Sequence, residues 1–258
     1  MKRSLILLLA AGWLFSGCKV REYTSAAQPV THELWDSLLQ AHVSPAGWVD
    51  YSGFQKDQAR LNRYLKQLGD HHPNDAQWSR NEQLAYWINA YNAFTVQLIL
   101  RHYPVAGIKD IRNGIPFLNS VWDIQFIEIE ERTYDLNNIE HGILRSQFEE
   151  PRIHFALNCA SVSCPKLWNR AYTAEDLDAQ LDRAALEFLD DPLRNRIQDR
   201  QRVELSKIFS WYKGDFQPDL ITFLNRYVDP PLAQDTRIQY LDYDWDLNDA
   251  GRREPAGD

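Results

Sequence analysis

The spacing of apolar residues predicts a run of helices over the first hundred positions. Glu33 to His42 carries Leu34, Leu38 and Leu39 on one side and reads as a short helix. Pro45-Ala46-Gly47 breaks it, and Trp48 to Tyr51 is a brief extended piece. Phe54 to Leu68 predicts a second helix through Leu61, Tyr64, Leu65 and Leu68. Ser79-Arg80-Asn81-Glu82 is a capping-box sequence. Behind it, Leu84, Trp87, Ile88, Tyr91, Thr95, Leu98 and Ile99 recur at helical spacing until Pro104. Asn89 and Asn92 flank that stripe. If buried, each amide must find partners.

The pattern then changes. Trp122 to Phe126 alternates as a half-buried strand, Glu130-Glu131-Arg132 turns, and Thr133 to Leu136 is its hairpin mate. Asn137 or Asn138 caps a helix from Ile139 to about Phe148, and Arg152 to Leu157 reads as an apolar strand. A further helix begins near Thr173, with Leu177, Leu181, Ala184, Ala185, Phe188 and Leu189 on its core face. Val203 to Leu205 reads as a short strand, Ile208 to Tyr212 and Pro218 to Tyr227 as helices, and Ile238 to Tyr243 as a last extended segment. Residues 249–258 look frayed. There is no repeat or low-complexity linker. The expected class is α+β, a helical N-terminal half packed with a small mixed or antiparallel sheet, in a single domain over 31–248.

The N-terminus changes the cellular picture. Lys2 and Arg3 precede an apolar run, Leu5 to Ala11, and Leu14-Phe15-Ser16-Gly17-Cys18 follows. That order predicts a lipoprotein signal over 1–18, lipid on Cys18 and a polar tether over 19–30. An ordinary secretory signal that happens to contain Cys18 is the competing expectation. With Lys19 after the cysteine, the lipidated protein is expected on the outer membrane, facing the periplasm. The formal net charge of −8 argues against a broad nucleic-acid surface. Nine Trp and twelve Tyr suggest a wet cleft beyond simple packing.

Candidate chemistry concentrates in His154 to Pro165, where the apolar segment stops at Cys159, Ser161, Ser163 and Cys164. A nucleophilic cysteine needs thiolate character and a neighbour that takes or holds a proton. Glu140, His141 and His154 are the nearby candidates. On a regular strand His154 and Cys159 would point to opposite faces, so His141 is the preferred base and His154 the second choice. Glu140 would orient or charge the site, and Ser161 or the following backbone N–H groups would stabilise an oxyanion. Arg145, Asn92 and Ser161 are the substrate-binding candidates. A Cys159–Cys164 disulfide is the bland alternative, closing only a very short loop. The set Cys159, Cys164, His141 and His154 lacks zinc-finger or ribbon spacing, so no metal is expected, and no cofactor motif is present.

Five ordered segments carry a resemblance. They are Asn89 to Ala93, Ile139 to Arg145, His154 to Pro165, Ser206 to Phe216 and Tyr243 to Asn248. Together they resemble the domain of unknown function 547 family of bacterial envelope and plant proteins, over roughly residues 30–248. The resemblance implies that Cys159 matters more than Cys164, because plant members keep the first and carry Ser at the second. That argues against a disulfide as a family feature. It also implies family positions for Glu140, His141, Arg145 and His154. A papain-like or transglutaminase-like arrangement would need a permuted order, since both histidines precede Cys159.

The expected function is a lipid-anchored cysteine hydrolase or acyl/amide transferase acting on a peptide, amide or cell-wall substrate. The alternative is a non-catalytic periplasmic binding module with a structural Cys159–Cys164 pair.

Overall fold

The computed structural model describes residues 25–112 and 120–252. The expected signal sequence 1–18 with Cys18, tether residues 19–24 and the tail from 253 lie outside the described residues.

Four helices build the first half: α1 (Glu33–His42), α2 (Tyr51–Lys56), α3 (Gln58–Gly69) and α4 (Arg80–His102). The expected single helix over 54–68 is two, because Asp57 is drawn out of the helical path. Its carboxylate accepts from His42 Nε2 (2.8 Å) and Arg60 Nη1 (3.0 Å), while Asp50 caps α2 by accepting from Gly53 N–H (2.8 Å). Trp35 of α1 stacks on Tyr64 of α3 with centroids 5.6 Å apart. The Ser79–Glu82 capping box forms at the start of α4.

Every residue of α4 from Leu84 to Val96 is buried, so the helix is central rather than amphipathic. Its two asparagines are satisfied by gripping neighbouring backbone. Asn89 donates to Tyr172 O (2.8 Å) and accepts from Tyr172 N (3.1 Å). Asn92 grips the segment before Cys159 in the same way.

The α+β class is as expected, with a smaller sheet component shifted along the chain. β1 (Ile127–Ile129) and β2 (Arg132–Tyr134) form an antiparallel hairpin. The strand expected over 122–126 is instead a 3₁₀ turn, Val121–Asp123. Asp123 turns the chain there by accepting from Ser120 N (2.8 Å) and Asn137 Nδ2 (2.6 Å). The next helix starts as a π-helix, Asn138–Leu144, and tightens into α5 (Arg145–Phe148). Single π turns of this kind recur at functional sites.

The expected strand over 152–157 is also replaced, by a 3₁₀ helix, Pro151–Phe155. Pro151 presets the first turn, and Glu150 caps it by accepting from Arg152 N (3.0 Å). Beyond it lie α6 (Leu177–Asp190), β3 (Arg202–Leu205), α7 (Ile208–Trp211), α8 (Leu220–Leu224) and β4 (Arg237–Tyr240). β3 and β4 pair in parallel, with Val203 opposite Ile238.

Apolar burial falls into two clusters. One gathers α1–α4, the hairpin, the π-helix and, from α6, Leu177 and Leu181; the other gathers the rest of α6, β3, α7 and α8 around Phe209, Phe216 and Phe223. The 151–160 segment is the seam: Ile153, Ala156, Leu157 and Ala160 enter the first cluster and Phe155 the second.

The described chain is anchored at both ends. The Ala27 carbonyl accepts from Trp78 Nε1 (2.8 Å) and Asn74 Nδ2 (3.0 Å). The fraying expected from residue 249 does not begin there. Asp249 is buried, accepts from the Tyr103 hydroxyl (2.8 Å), and leads into a 3₁₀ turn, Ala250–Arg252.

Candidate functional site

Cys159 lies on a loop held from three sides. Asn92 of α4 donates to Ala156 O (2.9 Å) and accepts from Asn158 N (2.8 Å). Asn158 in turn donates to Pro165 O (2.7 Å) and accepts from Ala160 N (3.0 Å), closing the loop on itself. The C-terminal segment runs alongside, with Val162 N–H to Asp246 O (2.9 Å) and Asn248 N–H to Ala160 O (3.2 Å). Ala160 is wholly buried at φ +61°, a left-handed conformation that costs an L-residue about 1–2 kcal/mol. Such strain persists only where the surroundings over-determine the backbone.

The thiol is surrounded by hydrogen-bonding groups. Cys159 and Cys164 are both free, with sulfurs 2.7 Å apart, and Cys159 N–H points at Cys164 Sγ (2.8 Å). Ser161 Oγ lies 3.4 Å and Tyr243 Oη 3.5 Å from Cys159 Sγ. The Cys164 contact, followed by the Ser161 and Tyr243 hydroxyls, pulls the Cys159 thiol below its ordinary pKa against the opposing effect of burial. Burial pushes Cys164 strongly the other way, and the proximity of Cys159 adds to it. The pair is therefore asymmetric, with Cys159 the more acidic of the two.

A second polar cluster stands on the π-helix, the 3₁₀ helix and the segment after α7. Asp215 accepts from His154 Nε2 (2.8 Å), Arg145 Nε (2.6 Å) and Arg145 Nη2 (2.8 Å). These partners, His154 first, hold its carboxyl far below the usual carboxylate range. His154 stacks on the Tyr212 ring at 3.9 Å, and its side chain is 1% exposed. The Tyr212 hydroxyl donates to Glu140 Oε1 (2.6 Å), while burial, then Glu140, drives its pKa up.

Donor logic fixes the two imidazoles. A guanidinium only donates, so His141 Nδ1, 3.0 Å from Arg145 Nη1, accepts and has no free lone pair. A carboxylate only accepts, so His154 carries its proton on Nε2. Its Nδ1 has no partner among the described residues.

Both clusters open on one cleft of about 290 Å³, lined by Cys159, Cys164, His154, His141 and Glu140, with Tyr91 in its wall. Its rim is aromatic. Tyr243 and Trp245 rings lie 4.5 Å apart, Trp211 stacks at 5.8 Å from Trp245, and Lys109 Nζ sits 3.7 Å over Trp245. Gly107 permits that rim, because a Cβ there would collide with the Trp245 carbonyl. Among the described residues no group of three or more His, Cys, Asp or Glu side chains is placed to hold a metal ion.

Of the residues singled out in the sequence, Cys159, Glu140, His141 and His154 line this cleft, and Ser161 touches the thiol. Arg145 is committed to Asp215, and Asn92 to the loop backbone. Sequence reasoning missed Tyr212, Asp215 and Tyr243 as site residues. Their signal was present, since all three sit in the 206–216 and 243–248 segments already distinguished by resemblance.

No curated protein and no solved structure matches the chain. The model of one family, described as Protein of unknown function, DUF547, matches residues 76–189, a stretch that holds α4, the Glu140-His141 turn and the Cys159 loop.

Proposed function

We propose that the chain is a cysteine-dependent hydrolase or acyl/amide transferase, with Cys159 as nucleophile and His154, oriented by Asp215, as its proton carrier. The observation that carries this reading is a thiol with lowered pKa in the same cleft as an imidazole whose Nε2 is held by a carboxylate. His154 takes the Cys159 proton on Nδ1. The sulfur attacks a substrate carbonyl, a C–S bond forms and the carbonyl π pair moves to oxygen. Collapse restores the carbonyl and expels the amine or alcohol, which leaves with the His154 proton. Water, or an acceptor amine, then cleaves the thioester while His154 accepts a proton again. The free Nδ1 of His154 favours it over His141 as base.

The aromatic rim favours a second reading, a module that binds its ligand without turning it over; Trp211 is 47% exposed within it. Intact-mass measurement of iodoacetamide alkylation against pH separates the two. The enzyme reading expects an alkylation midpoint below the ~8.5 of a free thiol and complete loss of ester or amide turnover in Cys159→Ala. Full turnover in that variant, or a midpoint at or above the free-thiol value, refutes it.

We further propose that the mature protein is anchored through lipid on Cys18 and faces the periplasm, a reading that rests on the Leu14 to Cys18 sequence. Cys18→Ser would then move the protein from the membrane pellet to the soluble fraction; continued pelleting contradicts it.

A further inference from the structure

Tyr91 lies in the middle of α4 and is 1% exposed. Its neighbours in the helical core satisfy their hydroxyls: Tyr51 donates to Asn248 Oδ1 (2.8 Å), Tyr86 donates to Leu68 O (2.7 Å), and Tyr64 pairs with His32 (2.7 Å). The Tyr91 hydroxyl has no hydrogen-bond partner among the described residues. Nor is it one of the fully enclosed, unpartnered side-chain atoms there, which are Thr95 Oγ1, Gln97 Oε1 and Arg200 Nη1. The residue lines the Cys159 cleft, so the hydroxyl opens into it. Buried hydroxyls are rarely left unpaired without a reason.

The surroundings say what that hydroxyl would meet. Burial, then the charges of Glu140, Cys159, Cys164 and Tyr212, push the phenol's pKa far up, so Tyr91 stays protonated. Of the other donors near the sulfur, Tyr243 Oη lies against Sγ itself (3.5 Å), and three more are used within the fold. Cys159 N–H points at Cys164 Sγ, Ala160 N–H at Asn158 Oδ1, and the Tyr212 hydroxyl at Glu140. Ser161 is wholly buried and is not among the residues that line the cleft.

We infer that the Tyr91 hydroxyl is the oxyanion donor of the site, a catalytic residue that hydrogen-bonds the carbonyl oxygen as Cys159 attacks. This rests on the acyl-transfer reading above. In the step, Sγ bonds to the carbonyl carbon, the π pair becomes an oxyanion, and Tyr91 stabilises it without transferring its proton. When the leaving group departs the carbonyl is restored and the hydrogen bond weakens. Such a donor acts in the transition state and leaves the ground-state thiol alone.

The test compares two reactions of Cys159 in the wild type and in Tyr91→Phe. Acylation by p-nitrophenyl acetate passes through an oxyanion, whereas alkylation by iodoacetamide displaces iodide at a saturated carbon and does not. The expected result is acylation slowed by about 10²-fold with alkylation unchanged. The thermal midpoint should hold or rise, because the variant removes a hydroxyl that bonds to nothing. Acylation within about twofold of wild type overturns the inference, as does a parallel fall in both reactions, which would place Tyr91 in support of the thiolate. A Cys159→Ala arm keeps the two claims apart. If p-nitrophenolate release persists there at the wild-type rate, the acyl-transfer reading itself has failed. If it is lost there and retained in Tyr91→Phe, only the oxyanion role has.

Discussion

Asp215 decides which nitrogen of His154 carries the proton: its Oδ2 sits 2.8 Å from Nε2 and also accepts from Arg145 Nε (2.6 Å), while its Oδ1 accepts from Arg145 Nη2 (2.8 Å). The pairing ties the 3₁₀ helix before the Cys159 loop to the segment after α7. Because the Asp215 carboxyl is held far below its usual range, its contribution to stability is fully present above the ordinary carboxylate pKa of about 3.9. It is lost as pH falls below that value toward the folded-state pKa. Asp215→Asn should therefore cost about 1–2 kcal/mol near neutrality, discounted for partial exposure. In urea unfolding the gap from wild type should narrow as pH drops below about 4. A gap that stays constant with pH would show that the charge is not what matters.

Cys164 supplies the largest influence lowering the Cys159 pKa. Replacing it by Ala removes that hydrogen bond and leaves the burial that opposes ionisation. The pH midpoint of Cys159 alkylation should rise in Cys164→Ala and rise less in Cys164→Ser, which keeps an O–H donor. An unchanged profile in the Ala variant would mean that Ser161 and Tyr243 suffice.

Asn92 holds the loop backbone through two bonds, one given and one received. Asn92→Ala would leave the Asn158 N–H and the Ala156 carbonyl buried and unpaired, at a cost of about 2 kcal/mol. Chemical unfolding reads that directly. Undiminished stability, with only a higher KM, would restore the substrate-binding role expected from sequence.

The helices were the most legible part of the chain. The α1 boundaries, the Ser79 cap and the buried face of α6 follow from spacing and capping chemistry, which are local. The misread stretches share a different cause. At 122–126 and 152–157 an alternating or apolar run suggested strands, yet Asp123 and Glu150 use their carboxylates to turn the backbone. Alternation reports which side chains are buried and does not report whether a partner strand exists. The site was half legible for the same reason. Cys159, His141 and His154 announced themselves by residue type, whereas Asp215 lies 61 residues from His154 and Tyr243 lies 84 from Cys159. Only tertiary packing joins them. The preference for His141 as base rested on a strand that the 3₁₀ turn replaces.

The seam location of the 151–160 segment gives the site a mechanical character. His154 and the Phe155 beside it pack against the aromatic cluster around Phe209, Phe216 and Phe223, whereas the Cys159 loop is fastened to α4 and the chain's C-terminal run. The proposed reacting pair is thus referenced to two bodies of packing bridged by α6, and its alignment is only as stiff as the shear resistance between them. Enlarging or emptying either body at a distance from the cleft shifts one member of the pair relative to the other. Reactivity at Cys159 then reports slippage between the bodies well before either one melts.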